Sequence, residues 1–323
     1  NITIILFNLD GIQCKRHIFK CNKTETKMET IHIGYDDTIS LLSWQKAVDA
    51  LRVGHLFPKA EIADIFLGPK AATLLNRAAY IEGLGYGVKA VTVVADNPKK
   101  GLPTVQGAMM VYEPESGKLK AIIDSRLITE VKTASDSILG AQLLARPKSK
   151  RLLILGAGTV AESLIRAYSS TFLGLEQIAI WSRKPEQAKS LIDRTGRTKI
   201  ELIVADDLEK FASEADIIST ATMAYEPILM GEWISPGTHI DLIGAFKADM
   251  REVNDNLITC GTIYVDSRDT TINHIGELMI PIAAGIINEK DIKGDFYDLI
   301  SMNHSARTSE NEITIFKNGG GAH

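Results

Sequence analysis

The residues best equipped for chemistry lie at a glycine turn and at a few cations set in apolar surroundings. The stretch Arg151-Leu152-Leu153-Ile154-Leu155-Gly156-Ala157-Gly158-Thr159-Val160-Ala161 carries an apolar run into a turn of the form G-x-G-x-x-A. The run reads as a buried parallel strand. Gly156 permits a tight turn, Gly158 lets backbone approach a pyrophosphate, and the small Ala161 lets helix pack on strand. The amides of Ala157, Thr159 and Val160 complete a helix N-terminus whose partial positive charge suits phosphate. A second apolar strand, Gln177–Trp181, arrives where a βαβ unit needs it, which separates this motif from a chance glycine turn. An NAD site places Asp or Glu after that strand to hold the ribose. Here Ser182-Arg183-Lys184 follows, with Gln187 in the helix beyond. A hydroxyl and two cations attract a 2′-phosphate, so NADPH is the expected cofactor and NADH the alternative. The non-functional reading of the same residues is a solvated turn before the helix at Pro185.

Lys89 lies in the otherwise apolar strand Val88 to Val94. An ammonium there is costly unless it has a purpose or snorkels to water. Arg77 ends the run Thr73-Leu74-Leu75-Asn76 one strand earlier. It offers a fork for a carboxylate or, equally, forms a surface ion pair. Thr104 and Gln106 follow the turn Gly101-Leu102-Pro103 and offer hydrogen bonds to a ligand, or simple loop polarity. Thr222 and Met223 come after the strand ending at Thr220; Ile243, Gly244 and Ala245 follow the next strand. Ligands of open α/β sheets bind at that carboxyl edge, so both groups are expected on the nicotinamide side. Lys317 and Asn318, from the tail, are expected to close the site. His239, inside a strand, reads as a core histidine. No His/Cys/Asp cluster has metal-ligand spacing, so no metal is expected.

The elements that must position these residues fall into two patterns. After Met28, Asp36 or Asp37 reads as the cap of a helix with the stripe Ile39, Leu41, Leu42, Trp44, Ala47, Val48, Leu51. Strands at 72–77, 86–94, 108–112 and 119–123 follow in quick succession, the last two as a hairpin around Glu115-Ser116-Gly117. They predict an antiparallel or mixed sheet, closed by a helix over 129–144. From Lys148, strands and helices alternate: 151–155, 159–170, 177–181, 185–194, 200–204, 207–213, 215–220, 238–243 and 262–265. That is the doubly wound parallel pattern. A helical stretch, a loop and a short strand, Ile313 to Phe316, finish the chain.

The chain has 323 residues, 45% apolar and 24% charged, as in an ordinary two-domain globular protein. A net charge of −4 gives no electrostatic case for nucleic acid or membrane. No apolar run reaches the ~18 residues of a membrane span. Cys14, Cys21 and Cys260 form neither a disulfide framework nor a zinc pattern, consistent with a reducing, cytoplasmic compartment. Residues 1–27 read as an extension outside the core fold, and the terminal Gly319 to His323 as a chain cut within a turn.

Several motifs in collinear order resemble the ornithine cyclodeaminase and μ-crystallin family: Gly87-Val88-Lys89, Gly101 to Gly107, Lys132-Thr133-Ala134, Gly156 to Ala161, Trp181-Ser182-Arg183, Glu226 to Leu229, Gly231-Glu232-Trp233, Pro236 to Ile240, Val265-Asp266-Ser267 and Glu312 to Lys317. They cover about residues 35–321. The resemblance implies a homodimer whose subunit has a Rossmann domain inserted into a second α+β domain for substrate binding and dimerisation. The corresponding boundaries are 28–147 plus 296–323 for the substrate domain and 148–295 for the Rossmann domain. It also implies that Lys89 meets the substrate carboxylate and acts as the catalytic lysine. Lys132 stands where many relatives carry Arg; with Thr133 it is expected on the substrate or nicotinamide side, as a point charge instead of a fork.

One departure bears on the reaction. Cyclodeaminases of the family carry an Asp in a G-G-D stretch; here Gly244-Ala245-Phe246 places Phe there, and Phe cannot move a proton. Asp249 stands three residues on. The stretch from Gly244 to Glu252 resembles the branch that reduces the cyclic imine Δ1-pyrroline-2-carboxylate to L-proline. The expected activity is that NAD(P)H-dependent reduction, with the six-membered piperideine homologue as a further substrate. Ornithine cyclodeamination, and a μ-crystallin-like binding role with little turnover, are the alternatives.

Overall fold

The computed structural model describes residues 30–69, 71–196, 198–302 and 305–319. The proposed extension 1–27 and the terminal 320–323 lie outside the described residues. The chain forms two compact units that meet in sequence at Val131 and Lys132.

The first unit is a six-stranded sheet. Its strands are β1 (Ile31–Ile33), β2 (Glu61–Leu67), β3 (Ala72–Ile81), β4 (Gly85–Val94), β5 (Val105–Tyr112) and β6 (Leu119–Asp124), in the order β1-β6-β5-β4-β3-β2. β1 runs parallel to β6 and every other pair is antiparallel. Ile33, Val111, Ala121 and Ile123 of the sheet pack against Ala47 of the helix Trp44–Gly54 and against Leu127 and Val131 of the helix that starts at Ser125. Each Ile, Val or Leu side chain so removed from water contributes roughly 1.5–3 kcal/mol. The cap of the first helix is Ser43, whose hydroxyl accepts the Lys46 amide. This corrects the expected Asp36 or Asp37: Tyr35–Thr38 and Ile39–Leu41 are separate single turns. The helix after β6 spans Ser125–Leu144, one turn longer at its start than the periodicity predicts.

The second unit is an eight-stranded, all-parallel sheet of the doubly wound kind. Its strands are β7 (Arg151–Leu155), β8 (Gln177–Trp181), β9 (Glu201–Val204), β10 (Ile217–Thr220), β11 (His239–Leu242), β12 (Thr262–Val265), β13 (Ile292–Gly294) and β14 (Thr314–Lys317). They lie in the order β13-β12-β14-β11-β10-β7-β8-β9. From β7 the chain first winds outward through β8 and β9, then returns to place β10 on the other side of β7. That reversal opens a crevice at the carboxyl ends of β7 and β10. Leu152 to Leu155 are at most 1% exposed, because a parallel strand here is covered on both faces. The tail departs from the expected domain assignment of 296–323. β14 inserts between β11 and β12, satisfying both of its ladders inside the second sheet.

Candidate functional site

The crevice of the second unit begins at Gly156. Its φ of +124° is open to glycine, and a Cβ there would stand 2.4 Å from the Ala221 carbonyl oxygen at the end of β10. Its amide donates to the Trp181 carbonyl at 2.8 Å, so the turn is tied to β8. Gly158 caps the helix Thr159–Thr171 with no side chain over the first-turn amides, and the space where its Cβ would stand is open. Ala161 is fully buried at the helix–strand contact. These features fit a dinucleotide pyrophosphate: donors presented, charge favourable, approach unobstructed. Arg194 donates to the Ala157 carbonyl at 3.0 Å and to Glu162 at 3.1 Å, which braces the turn from the next helix.

Beyond β8, Arg183, Lys184 and Gln187 are exposed. The Ser182 hydroxyl donates to the Lys184 carbonyl at 2.6 Å and shapes the turn that presents the two cations. Thr133 is buried, and its carbonyl accepts from Asn318 Nδ2 at 3.1 Å. Lys132 forms a 2.8 Å ion pair with Asp136 one helical turn on, the carboxylate fully buried.

At the edge after β10 and β11, a residue outside the expected set dominates. The carboxylate of Glu252, 1% exposed, accepts from Thr220 Oγ1 at 2.6 Å, Thr222 N at 2.9 Å, Thr222 Oγ1 at 2.7 Å, Gly244 N at 2.7 Å and Ala245 N at 3.3 Å. It therefore ties together the two segments expected to line the nicotinamide side. Met223 and Phe246, which extend from those segments, are exposed at 61% and 47%. Glu252 belongs to the Met250-Arg251-Glu252 motif, but nothing local in the sequence says that its carboxylate turns inward. Glu277 holds the next position down, accepting the Glu252 amide at 2.8 Å and the Val253 amide at 3.1 Å.

Lys317 is completely buried and donates to the Leu242 and Asn318 carbonyls at 2.8 and 2.7 Å. It supports the sheet edge from within, in place of the expected role of closing the site. Burial lowers its pKa, against the attraction of Glu277, Glu252, Asp266 and Asp241. Burial raises Asp241 to about 7, opposed by hydrogen bonds from Ser137 and Ser219 and by Lys317. Burial, reinforced by the Glu252 charge, raises Glu277 to about 7. His239 is a core histidine, fully buried beside Thr314 and pushed down to about 3 by burial.

In the first unit, strand register sets Asp64, Arg77, Lys89, Met109, Ile123 and Ile33 in one row across all six strands. Directly paired residues share a face. The row runs from the covered core at Ile33 and Ile123 to charge at its outer end. Lys89 is half-buried and donates to Thr129 Oγ1 at 3.3 Å, on the helix that covers the core. Two cations opposite one another repel. Asp64 offsets this by clasping Arg77 with both oxygens, at 2.7 and 2.5 Å, and the contact holds the Asp64 carboxyl below its ordinary range. Arg77 thus forms the ion pair that was one of its two readings. Gln106 falls on the opposite face by strand alternation, and Thr104 lies just beyond the start of β5. Register therefore joins Arg77 with Lys89 and separates Gln106 from both.

Among the described residues, no group of three or more His, Cys, Asp or Glu could hold a metal, and no helix is long and apolar enough to cross a membrane. The family model for the ornithine cyclodeaminase/mu-crystallin family matches residues 74–322. The Δ1-pyrroline-2-carboxylate reductase of Paracoccus denitrificans is 54% identical over 291 residues, covering 90% of this chain and 92% of that protein. The solved Δ1-pyrroline-2-carboxylate reductase of Thermococcus litoralis, in complex with NADH and L-proline, superposes with a TM-score of 0.81 at 26% identity, covering 89% of this chain and 91% of that one. An archaeal alanine dehydrogenase dimer with bound NAD gives 0.81 at 27% identity and 90% coverage of each chain. The chain belongs to the ornithine cyclodeaminase/mu-crystallin family.

Proposed function

We propose that this protein is an NAD(P)H-dependent imine reductase that converts Δ1-pyrroline-2-carboxylate to L-proline and accepts the six-membered homologue. The observation that carries the reading is the 54% identity, over nine-tenths of both chains, to a protein of that name. The glycine turn and its uncapped helix fit the dinucleotide that such a reaction needs. Reduced nicotinamide, when bound, supplies the hydride that adds to the imine carbon. The chain's own residues do the rest: they orient the substrate, neutralise its carboxylate and keep the imine nitrogen protonated.

Lys89 is the group assigned to the substrate carboxylate and to the proton that the imine nitrogen takes up, with the Arg77–Asp64 ion pair beside it in the same row. Thr104 and Lys132 are assigned supporting contacts; Gln106, on the opposite face of the sheet from Lys89, is not. Gly156 to Val160 hold the pyrophosphate, Ser182, Arg183, Lys184 and Gln187 the ribose end, and Thr133, Thr222, Met223 and Ile243 to Ala245 the nicotinamide end. Arg183 and Lys184, with no carboxylate at that turn, favour NADPH over NADH. The chain is assigned to the cytoplasm and to a homodimer. The dimer is supported by the edge strand β2, exposed at every position, with Phe66 and Leu67 64% and 58% exposed.

Purified protein with NADPH or NADH and the imine should form L-proline as reduced-cofactor absorbance falls. Ammonia release from L-ornithine without imine reduction would overturn the assignment in favour of cyclodeamination.

A further inference from the structure

We infer that Glu252 is a positioning residue that sets the nicotinamide-side edge of the cofactor site by fastening the segments after β10 and β11 to one carboxylate. The inference rests on the cofactor part of the reading above and deepens it.

The geometry shows a built fastening. Five donors converge on one carboxylate, two from backbone amides of the β11 segment and one from the amide of Thr222. Two threonine hydroxyls complete the set. Hydrogen bonds to a charged acceptor are worth roughly twice neutral ones, and here they cross between adjacent strands instead of running along one. Gly244 is shaped to admit the carboxylate. A Cβ at that position would stand 2.3 Å from Glu252 Oε1 and 2.2 Å from the Thr222 carbonyl. The excursion from Ala245 to Arg251 is pinned at its base: Ala245 and Met250 pack on Ile275, and the Gly276 amide donates to the Lys247 carbonyl. Glu277 grips the Glu252 and Val253 amides from the neighbouring helix, which fixes where the Glu252 side chain starts. The carboxylate itself is buried, so it acts through Thr222, Gly244 and Ala245, not on the ligand.

The two segments meet the carboxyl edge of β10 and β11, whereas the glycine turn that suits the pyrophosphate follows β7. Disturbing Glu252 should therefore loosen the nicotinamide end and leave the adenosine end intact. Glu252→Gln keeps the size of the side chain but replaces one accepting oxygen with an amino group, which faces donors that it cannot satisfy.

The test compares ligands with and without the ring, using full-length protein. Binding of NADH is followed by its fluorescence, and binding of ADP-ribose by its competition. For Glu252→Gln, NADH affinity should fall about tenfold while ADP-ribose affinity stays within about twofold of wild type. Equal loss of both ligands, or loss of neither, overturns the inference. If Glu252→Gln does not fold, Thr220→Ala removes one hydroxyl donor to the same carboxylate from a buried residue outside the ligand-lining set. It should show the same selective loss at roughly threefold, and an unselective or absent loss is again fatal. A wild-type protein that binds NADH yet does not reduce the imine would refute the proposed reaction and leave this inference standing.

Discussion

Lys89 stands directly opposite Arg77 in the antiparallel register of β3 and β4. Such a pairing of cations is unfavourable on a bare sheet, with Cβ atoms roughly 5 Å apart. Asp64 neutralises one of them, and Thr129 receives the other. Lys89 thus stands at the rim of an apolar face, a place suited to a small ring bearing one carboxylate. Lys89→Met should therefore lower kcat/KM for the imine by about a hundredfold, the loss of a charge-assisted contact of roughly 3 kcal/mol, with NADPH affinity unchanged. Steady-state kinetics alongside direct cofactor titration would check this. A parallel loss of cofactor binding would mean that Lys89 serves the fold instead.

How much of this was legible depended on how local the information is. The run Leu152 to Leu155 and the turn at Gly156 follow from neighbours in sequence, and they sit where periodicity and motif predict. β2 gave no such signal: exposed at every position, Glu61–Leu67 lacks the alternation that marks a half-buried strand. The short β1 and β13 have three residues each, too few to show a period. The ion pair of Arg77 with Asp64 required the hairpin register, because the partners are 13 residues apart. Glu252 and Lys317 were harder still. Their charge argues for solvent, and only the return of the chain beneath β10, β11 and β14 brings compensating donors and carboxylates around them.

The turn after β8 yields a cofactor prediction. Arg183 and Lys184 are exposed, and Ser182 holds the turn through its bond to the Lys184 carbonyl. A guanidinium pairs with a 2′-phosphate but has no counterpart on a 2′-hydroxyl. Arg183→Ala should lower kcat/KM with NADPH about tenfold and change that with NADH by less than about twofold. Equal effects on both cofactors would remove Arg183 from the ribose site.

The buried carboxylates predict an unusual dependence of stability on pH. Burial raises Asp241 from 3.8, and Glu277 from 4.5, each to about 7. Between the unfolded values and about 7, the folded protein holds protons that the unfolded chain has released. Stability should therefore fall as pH rises from about 4.5 to 7, and level off above. Asp64 acts with the opposite sign, but lower: its depressed pKa contributes stability that is lost only as pH falls below the ordinary carboxylate range. Thermal unfolding across pH 5 to 8 should show the wild-type Tm highest in the acid half of the window, about 6 and below. Asp241→Asn should flatten part of that slope. An unchanged slope would show that Asp241 is ionised throughout.

Lys317 is the cation at the centre of this group, so its removal tests the same electrostatics from the other side. Lys317→Met keeps an unbranched apolar stem but withdraws the charge opposite Asp241, Glu252, Asp266 and Glu277. It also leaves the Leu242 and Asn318 carbonyls without their donor. Breaking a buried charge interaction on one side typically costs about 3–5 kcal/mol. The cost should depend on pH, because carboxylates robbed of a counter-charge can recover by binding protons. Urea unfolding at pH 6 and pH 8 should therefore give a larger deficit at pH 8. A deficit equal at both pH values would mean that packing and the two lost hydrogen bonds, not charge, account for the role of Lys317.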